Sequence, residues 1–309
     1  MTSLAREETT VSIQEKQQPA PPVGPEPSPA AAGRAAHRRR TIWIWVGRIA
    51  LAVVIIGGWQ LCTNVKPDGK HPLVDPFFFG MPTQIWDSLV TLFTNTEDAS
   101  FGSIWENIWV TGQEAVLGFL LGTLVGIVLG LLLGSNKYLS AVVGPYIRIV
   151  NSIPRIILGS IFIVAFGLGT FPKVLLAAVL VFFVVFFNAF QGVREVDQNL
   201  VANVRVLGAS PLQVAIHVTI PSAMTWIIAS LHTAFGFAII GALVAEVLGA
   251  QQGLGLIISQ AQGKFDPDTV FACMIIIAVF TLVAEFLIGL LEHMLLKWRP
   301  VNKSEAQAI

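Results

Sequence analysis

The chain has 309 residues, of which 54% are hydrophobic and only 12% are charged, and its 19 basic residues are balanced by 19 acidic ones. Soluble globular domains carry about 25% charged residues, so this composition excludes an ordinary soluble domain. The zero net charge indicates no nucleic acid partner, and Cys62 and Cys273 lie in separate apolar stretches, which does not favour a structural disulfide.

Residues 1–40 differ from the rest of the chain. They are rich in Pro, Ala, Glu and Gln and almost lack large apolar side chains, which predicts a disordered cytoplasmic tail. A His-Arg-Arg-Arg run at 37–40 directly precedes an apolar stretch that begins too late and runs too long for a cleaved signal peptide. We therefore expect a retained anchor helix, a transmembrane domain over residues 41–300 and a cytoplasmic C-terminal tail over 301–309.

Six apolar segments are long enough to cross about 30 Å of hydrocarbon, which predicts an all-α polytopic membrane protein with six transmembrane helices. Pro154, inside the third segment, predicts a bend or break there because proline removes a backbone hydrogen bond. Of the 19 basic residues, 15 flank the segments on the side that carries both termini, so both termini are predicted to be cytoplasmic. The predicted spans are 42–61, 104–133, 142–168, 174–190, 222–247 and 269–296.

The second span carries a glycine at every fourth position, which brings these glycines onto one slowly drifting helix face. Such a face either slides beside a transport pathway or packs closely against a neighbouring helix, and both interpretations stay open. The glycines are Gly118, Gly122, Gly126, Gly130 and Gly134.

Ionisable residues inside membrane spans are costly and therefore suggest function. The pathway candidates are Glu114, His232, Glu246 and Glu285. Glu114 and Glu246 fall near the outer ends of their spans, where they are expected to reach interfacial water. His232 either lines a pathway or is a hydrogen-bonded neutral histidine, and Glu285 is the deepest acid and has no obvious partner. A proton relay needs a chain of such groups, and the sequence shows none, so it does not predict proton coupling.

Motifs that carry catalysis or bind metals are missing from the sequence. There is no H-E-x-x-H, no G-x-S-x-G and no cysteine–histidine cluster with metal-ligand spacing. The pair Gly263-Lys264 lacks the upstream glycine of a phosphate-binding loop. The chain is therefore predicted not to be an enzyme and not to hydrolyse nucleotide by itself.

A polar loop over residues 192–221 separates the fourth and fifth spans, and a charged loop of this length predicts a protein partner. From Gly208, nine residues lead to Val218, and Ile220 and Pro221 then complete the pattern G-x9-V-x-I-P. This pattern resembles the cytoplasmic signature of ABC-transporter permeases, which reads Glu-Ala-Ala, three residues, Gly, nine residues, Ile-x-Leu-Pro. The chain departs at the front, where Ala-Asn-Val stands at 202–204, so Asp197 or Arg205 is expected to supply the polar contact instead.

Three further segments resemble the nitrate, sulfonate and taurine group of ABC importers. They are the stretch 245–255, Met81-Pro82-Thr83-Gln84-Ile85-Trp86 and Trp298-Arg299-Pro300. The resemblance implies a type I importer permease core of five helices preceded by an N-terminal helix, in a bacterial inner membrane. It also implies that a short helix enters a groove on the ATPase. The residues expected in this coupling are Arg205, Leu207, Gly208, Ala209, Ser210, Pro211, Val218, Ile220 and Pro221.

The partners implied are a second copy of this chain, two ATPase subunits and a periplasmic or lipid-anchored substrate-binding protein. No cofactor is expected in this chain, and ATP and Mg²⁺ would bind the ATPase. The expected function is the alternating-access import of a small organic or inorganic anion such as a sulfonate, taurine or nitrate. An uncharged heterocycle or an aromatic acid is the alternative substrate. A self-sufficient channel or secondary transporter is the rival function, although the internal repeats common in such transporters are not visible.

Overall fold

The structure, a computed structural model, describes residues 29–66, 72–94 and 102–295, with the backbone alone for 29–39 and Leu295. The described ranges are helical apart from short connections and contain no strand. The α-helices are α1 (Pro29–Asn64), α2 (Pro76–Phe79), α3 (Pro82–Thr94), α4 (Ile104–Ser135), α5 (Lys137–Asn151), α6 (Arg155–Phe166), α7 (Thr170–Arg194), α8 (Gln198–Val206), α9 (Pro211–Val214), α10 (Ile220–Gly249), α11 (Leu254–Gly263) and α12 (Pro267–Leu295).

Five helical segments of the described chain are long and apolar enough to span a membrane, and a sixth span exists if the bent pair α5–α6 is counted as one. The five are Arg40–Asn64, Ile104–Ser135, Thr170–Arg194, Pro211–Gly249 and Pro267–Met294. This arrangement confirms the all-α polytopic fold. The predicted limits 174–190 and 222–247 are each shorter than the helical segments that contain them.

The chain forms two units, residues 1–58 and 59–309. In the first unit, α1 begins at Pro29, so residues 29–40 are helical and the predicted tail boundary at residue 40 is wrong. The physical reason is the run Pro-Ala-Ala-Ala that opens the helix: proline suits the first helical position and alanine has the highest helix propensity. Residues 1–28 of the predicted tail lie outside the described residues, as do 296–309 at the other end.

In the second unit, α7 lies at the centre between α4 and α10. The α4 glycines face α7: a methyl group on Gly122 would overlap the carbonyl oxygen of Ala178, and one on Gly126 would lie 3.0 Å from Val185 Cβ. On the α10 side, a methyl group on Gly241 would lie 2.5 Å from the Ala177 Cα. The glycine face of α4 is thus a close helix–helix contact inside the subunit, which agrees with the second interpretation of these glycines, close packing against a neighbouring helix.

The predicted third span 142–168 is two helices. α5 and α6 meet at an angle of 88° across residues 152–154, and Pro154 directly precedes the first residue of α6. Proline cannot donate a backbone hydrogen bond, and it disfavours helical geometry in the residue before it. The predicted break therefore falls at Pro154, and the predicted segment 142–168 counts as one span only if the bent pair α5–α6 is taken together.

The helix of the fifth span is longer than the predicted 222–247, and Pro221 lies in the first turn of α10. The helical run is continuous from Pro211 through a π-helical turn at Ala215–Thr219 into α10. In that turn the Ile220 backbone N–H donates to the Ala215 carbonyl, five residues back. A π turn shifts the hydrogen-bond register, and helices tolerate proline where such adjustments satisfy the freed backbone groups.

Candidate functional site

The connection between α7 and α10 contains a sharply turned helix end at Gly208. The Gly208 N–H donates to the Arg205 carbonyl at 2.9 Å, and the Ala209 N–H donates to the Val204 carbonyl at 3.2 Å. This pair of bonds is a Schellman motif, which closes the last turn of α8 and requires a left-handed residue. Gly208 meets that requirement with a φ of +88°. Glycine adopts this conformation without the steric cost that a Cβ atom brings.

The next helical run begins two residues later with a capping box. The Gln213 N–H donates to Ser210 Oγ at 3.3 Å, and the Ser210 N–H donates to Gln213 Oε1 at 2.8 Å. Pro211 occupies the first turn, where its missing N–H removes no intrahelical bond. The sequence Gly-Ala-Ser-Pro therefore encodes both the stop of α8 and the start of the long run into α10.

A small valine core holds this helix–turn–helix together. Val196, Val201, Val214 and Val218 are buried, and Val204 and Ala209 pack against them. The core joins α8 to the π-helical turn, so the predicted residue Val218 has a packing role. The turn is therefore tied to α10 by side-chain packing as well as by the chain itself.

The outer surface of the turn is apolar and exposed. Val206, Leu207 and Leu212 are 87%, 86% and 69% exposed. Arg205, Gly208, Ser210 and Pro211 are exposed beside them, and Ile220 is exposed at 36%. We call the surface formed by residues 205–212 the exposed turn. Large apolar side chains grouped on an otherwise polar segment are typical of a protein-binding surface.

Asp197 already has a structural task. Its Oδ1 accepts from the Asn199 N–H at 2.8 Å and caps the N-terminus of α8. Asp197 and Arg205 are the two residues expected to supply the polar contact in place of Glu-Ala-Ala. Asp197 caps a helix, whereas Arg205 is exposed at the turn.

Two pathway candidates lie in a buried polar cluster, and the expectation that Glu114 and Glu246 reach interfacial water is wrong. Glu114 is wholly buried and Glu246 is 1% exposed. Lys173 Nζ donates to Glu114 Oε1 at 2.9 Å, and this lysine is itself only 3% exposed. Burial of a carboxylate is tolerated when a cation and hydrogen bonds compensate for the lost water.

Glu246 organises the start of α11. Its Oε2 accepts from the Gly255 N–H at 2.6 Å, and its Oε1 accepts from Thr111 Oγ1 at 2.7 Å. Thr111 Oγ1 in turn accepts from the Leu254 N–H at 2.9 Å. The first N–H groups of a helix have no partners within the helix, and here side chains of α4 and α10 satisfy them. The cluster thus has a clear role in positioning α11.

The other two candidates lie apart from that cluster in the hydrogen-bond network. His232 Nε2 lies 3.0 Å from Glu292 Oε2, and both side chains are about one-third exposed, at 35% and 37%. His232 is therefore a hydrogen-bonded histidine between α10 and α12. Glu285 is exposed on α12, and within the described part of the chain it makes no hydrogen bond or ion pair.

Sequence reasoning missed Lys173, Asn107 and Thr111. Lys173 follows Pro172 at the start of a span, and its pairing with Glu114, 59 residues earlier, has no local sequence signal. Asn107 Oδ1 accepts from the Gly253 N–H at 2.7 Å, a contact between residues 146 apart in sequence. Nothing in the local pattern indicates such a long-range partner.

Three comparisons place these features in context. The family model described as "Binding-protein-dependent transport system inner membrane component" matches residues 122–297, which include the exposed turn. The aliphatic sulfonates transport permease protein SsuC of Bacillus subtilis is 30% identical over 82% of this chain and 88% of its own length. The riboflavin transport system permease protein RibX of Chloroflexus aurantiacus is also 30% identical, over 84% of this chain and 92% of its own.

The taurine transport system permease protein TauC of Escherichia coli is 26% identical over 85% of this chain and 95% of its own length. Among solved structures, an inward-facing MetNI methionine ABC transporter chain aligns with a TM-score of 0.55 and 19% identity. The alignment covers 61% of this chain and 95% of that one, and at this identity it shows the fold alone. Because the family model covers more than half of the chain and its helical architecture agrees, this chain belongs to the family of inner membrane components of binding-protein-dependent transport systems.

Proposed function

We propose that this chain forms the solute pathway of an ATP-driven importer and that the exposed turn is its contact with the ATPase. The observation that carries the proposal is the exposed apolar surface of Val206, Leu207 and Leu212 on a segment closed at both ends by capping motifs. A preformed surface loses little conformational entropy on docking. ATP and Mg²⁺ bind the ATPase, and this chain supplies no catalytic group.

The helical run from Pro211 to Gly249 supports a mechanical role for the turn. The exposed turn opens directly into this 39-residue segment, and the valine core fastens α8 to the same segment. A force applied at the turn therefore acts on α10 and, through the packing between α10 and α7, on the centre of the bundle. We propose that ATP binding moves these helices between inward-open and outward-open states as a rigid group.

The assembly we propose contains two copies of this chain, two ATPase subunits and an external substrate-binding protein, in the inner membrane of a bacterium. The family description, which names dependence on a binding protein, supports the last partner. The exposed turn is proposed to face the cytoplasm, where 15 of the 19 basic residues are predicted to lie.

The proposed substrate is a small organic or inorganic anion such as a sulfonate, taurine or nitrate, in line with relatives named for aliphatic sulfonates and taurine. A heterocycle is the second candidate because a relative of the same 30% identity is named for riboflavin. Thermal-shift measurements on the cognate binding protein separate the two. Stabilisation by alkanesulfonates or taurine supports the first candidate, and stabilisation by flavins alone supports the second.

The contact itself is tested by co-purification of the ATPase with Leu207→Asp. A charge in the apolar contact must be desolvated, so we expect ATPase recovery to fall about tenfold or more. Leu73→Asp is the matched control, because Leu73 is also exposed in a short connection, at 62%, but lies outside the turn. Equal recovery with both variants would refute the contact, and solute uptake by the purified chain without any ATPase would refute the importer function.

A further inference from the structure

A groove lies between α5 and α7 on the same end of the bundle as the exposed turn. It encloses about 300 Å³. The floor comes from the last turns of α7, and the wall comes from α5, whose N-terminus follows the end of α4. The residues that line it are Leu133, Lys137, Ser140, Ala141, Gly144, Pro145, Ile147, Arg148, Phe186, Phe187, Phe190 and Arg194.

The floor of the groove is aromatic. Phe186 and Phe190 stack with ring centroids 5.9 Å apart, and Phe187 meets Phe186 edge to face at 5.2 Å. Phe186 is 2% exposed, so its ring is fixed by the surrounding core. A floor of this kind can contact the apolar body of a small ligand or the upper part of an acyl chain.

The rim is basic. Lys137, Arg148 and Arg194 are all exposed, and no acidic residue lines the groove. The Arg194 guanidinium lies 4.4 Å from the Phe190 ring centroid, and its Nη2 donates to Ser140 Oγ at 3.1 Å. An arginine guanidinium has five N–H donors in a fixed fork, so one bond to Ser140 orients Arg194 and leaves donors for an oxyanion.

We propose that this groove binds an oxyanion that carries a short apolar body: a sulfonate, carboxylate or phosphate held by Arg148 and Arg194 over the phenylalanine floor. Two sources have this chemistry, namely a soluble organic anion and the headgroup of an anionic lipid. The site is separate from the exposed turn, so the proposal stands independently of the ATPase contact.

Two measurements on the full chain distinguish the sources. The first titrates ethanesulfonate into the detergent-solubilised chain and records the heat of binding. The second counts bound phosphatidylglycerol by native mass spectrometry after extraction from nanodiscs of phosphatidylcholine and phosphatidylglycerol. Saturable binding of ethanesulfonate identifies a soluble anion as the ligand, and retained phosphatidylglycerol alone identifies a lipid headgroup. Binding of neither probe overturns the proposal.

Variants test whether the bound probe occupies the groove. Removal of a charge-assisted hydrogen bond by Arg148→Gln or Arg194→Gln is expected to weaken binding about tenfold or more. Arg194→Lys keeps the charge but loses the fork of donors and the stacking on Phe190, so its affinity should lie between those of the wild-type chain and Arg194→Gln. Gly144→Leu fills the groove without changing its charge, since a methyl group at Gly144 meets only Arg148 Nη2, at 3.9 Å, and it should also abolish binding.

The matched control is Arg48→Gln, which removes the same charge from an exposed residue of α1 outside the groove. Circular dichroism and gel filtration establish that each variant is folded. If Arg48→Gln weakens binding as much as Arg194→Gln does, general charge attraction explains the result and the groove is not a site. Unchanged binding in Gly144→Leu would likewise overturn the proposal.

Discussion

Glu246 controls the geometry of the loop between α10 and α11 at the scale of single atoms. Its carboxylate accepts the Gly255 N–H and the Thr111 hydroxyl, while the chain at Gly253 turns back with a φ of +119°. A methyl group on Gly253 would overlap the Glu246 carboxylate. Glycine is therefore required at position 253 both by backbone conformation and by space.

We predict that Gly253→Ala lowers the free energy of unfolding by about 2–4 kcal/mol, the sum of left-handed strain and overpacking. Gly263→Ala is the control, because a methyl group there meets nothing within 4 Å and the glycine belongs to the same helix α11. Denaturant titration in mixed micelles compares the two. Similar values for both variants would contradict the role assigned to Glu246.

The Glu114–Lys173 pair yields a prediction through a double-mutant cycle. Glu114→Leu or Lys173→Met alone leaves one buried charge without its partner, which costs about 3–5 kcal/mol. The double variant removes both charges, so its loss should be much smaller than the sum of the two single losses. Unfolding titrations of the four proteins measure the coupling, and additive losses would show that the pair is not coupled.

At the scale of helices, the contact between α4 and α7 is set by the absence of side chains. From Gly118 to Gly134 every fourth residue of α4 is glycine, which allows the two backbones to approach each other. The opposite face of α4 carries exposed leucines and valines, among them Leu120 and Leu124. α4 therefore has a glycine face that packs on α7 and an opposite, apolar face suited to lipid or to another chain.

Gly122→Ala should destabilise the bundle by about 1–3 kcal/mol, because its methyl group overlaps the Ala178 carbonyl and Val181. Gly236→Ala provides the comparison: it is also inside a long helix, but a methyl group there meets nothing within 4 Å. The same substitution at Gly236 should be neutral or slightly stabilising because alanine favours the helix. Equal destabilisation at both positions would contradict the packing role.

The sequence pattern predicted some elements well because their causes are local. Apolar length identifies the membrane helices, Pro154 marks the break in the third one, and Gly208 marks the end of α8. The errors concern causes that are not local. The π turn that accommodates Pro221 depends on a shifted hydrogen-bond register, and no single residue type specifies such a turn.

The site divides in the same way. The exposed turn is built from neighbouring residues, and the pattern that starts at Gly208 indicated this segment through its resemblance to the permease signature. Lys173, the partner of Glu114, lies 59 residues away, and Thr111, one of the two partners of Glu246, lies 135 residues away, so neither contact leaves a periodic signal. The 88° angle between α5 and α6 could not be predicted from the sequence either, because a proline indicates a break but not its angle.

At the scale of the whole molecule, orientation in the membrane is a prediction with a direct readout. In a background of Cys62→Ser and Cys273→Ala, Leu207→Cys should react with a membrane-impermeant maleimide only from the cytoplasmic side. Lys264→Cys should react from the outside, because Lys264 ends α11 near the opposite end of the bundle. Labelling of both cysteines from one side would contradict the topology.

The exposed turn can transmit a movement of the ATPase to the membrane helices only if the turn is rigid. Its rigidity comes from the Schellman motif at Gly208, the capping box at Ser210 and the valine core. Proline at position 208 would remove the N–H that donates to Arg205 and would force φ to about −65°, far from the observed +88°. The membrane helices do not depend on this bond.

The most direct measurement compares ATP hydrolysis and solute uptake in reconstituted vesicles for Gly208→Pro and for Gly167→Pro. Gly167 has a φ of +83° and open surroundings at the end of α6, so proline there is forced out of the same left-handed conformation at a position away from the turn. We expect Gly208→Pro to reduce uptake at least tenfold while the bundle stays folded, and Gly167→Pro to leave the ratio of uptake to hydrolysis unchanged. Normal coupling in Gly208→Pro, or an equal loss in both variants, would contradict the assignment of the exposed turn as the coupling surface.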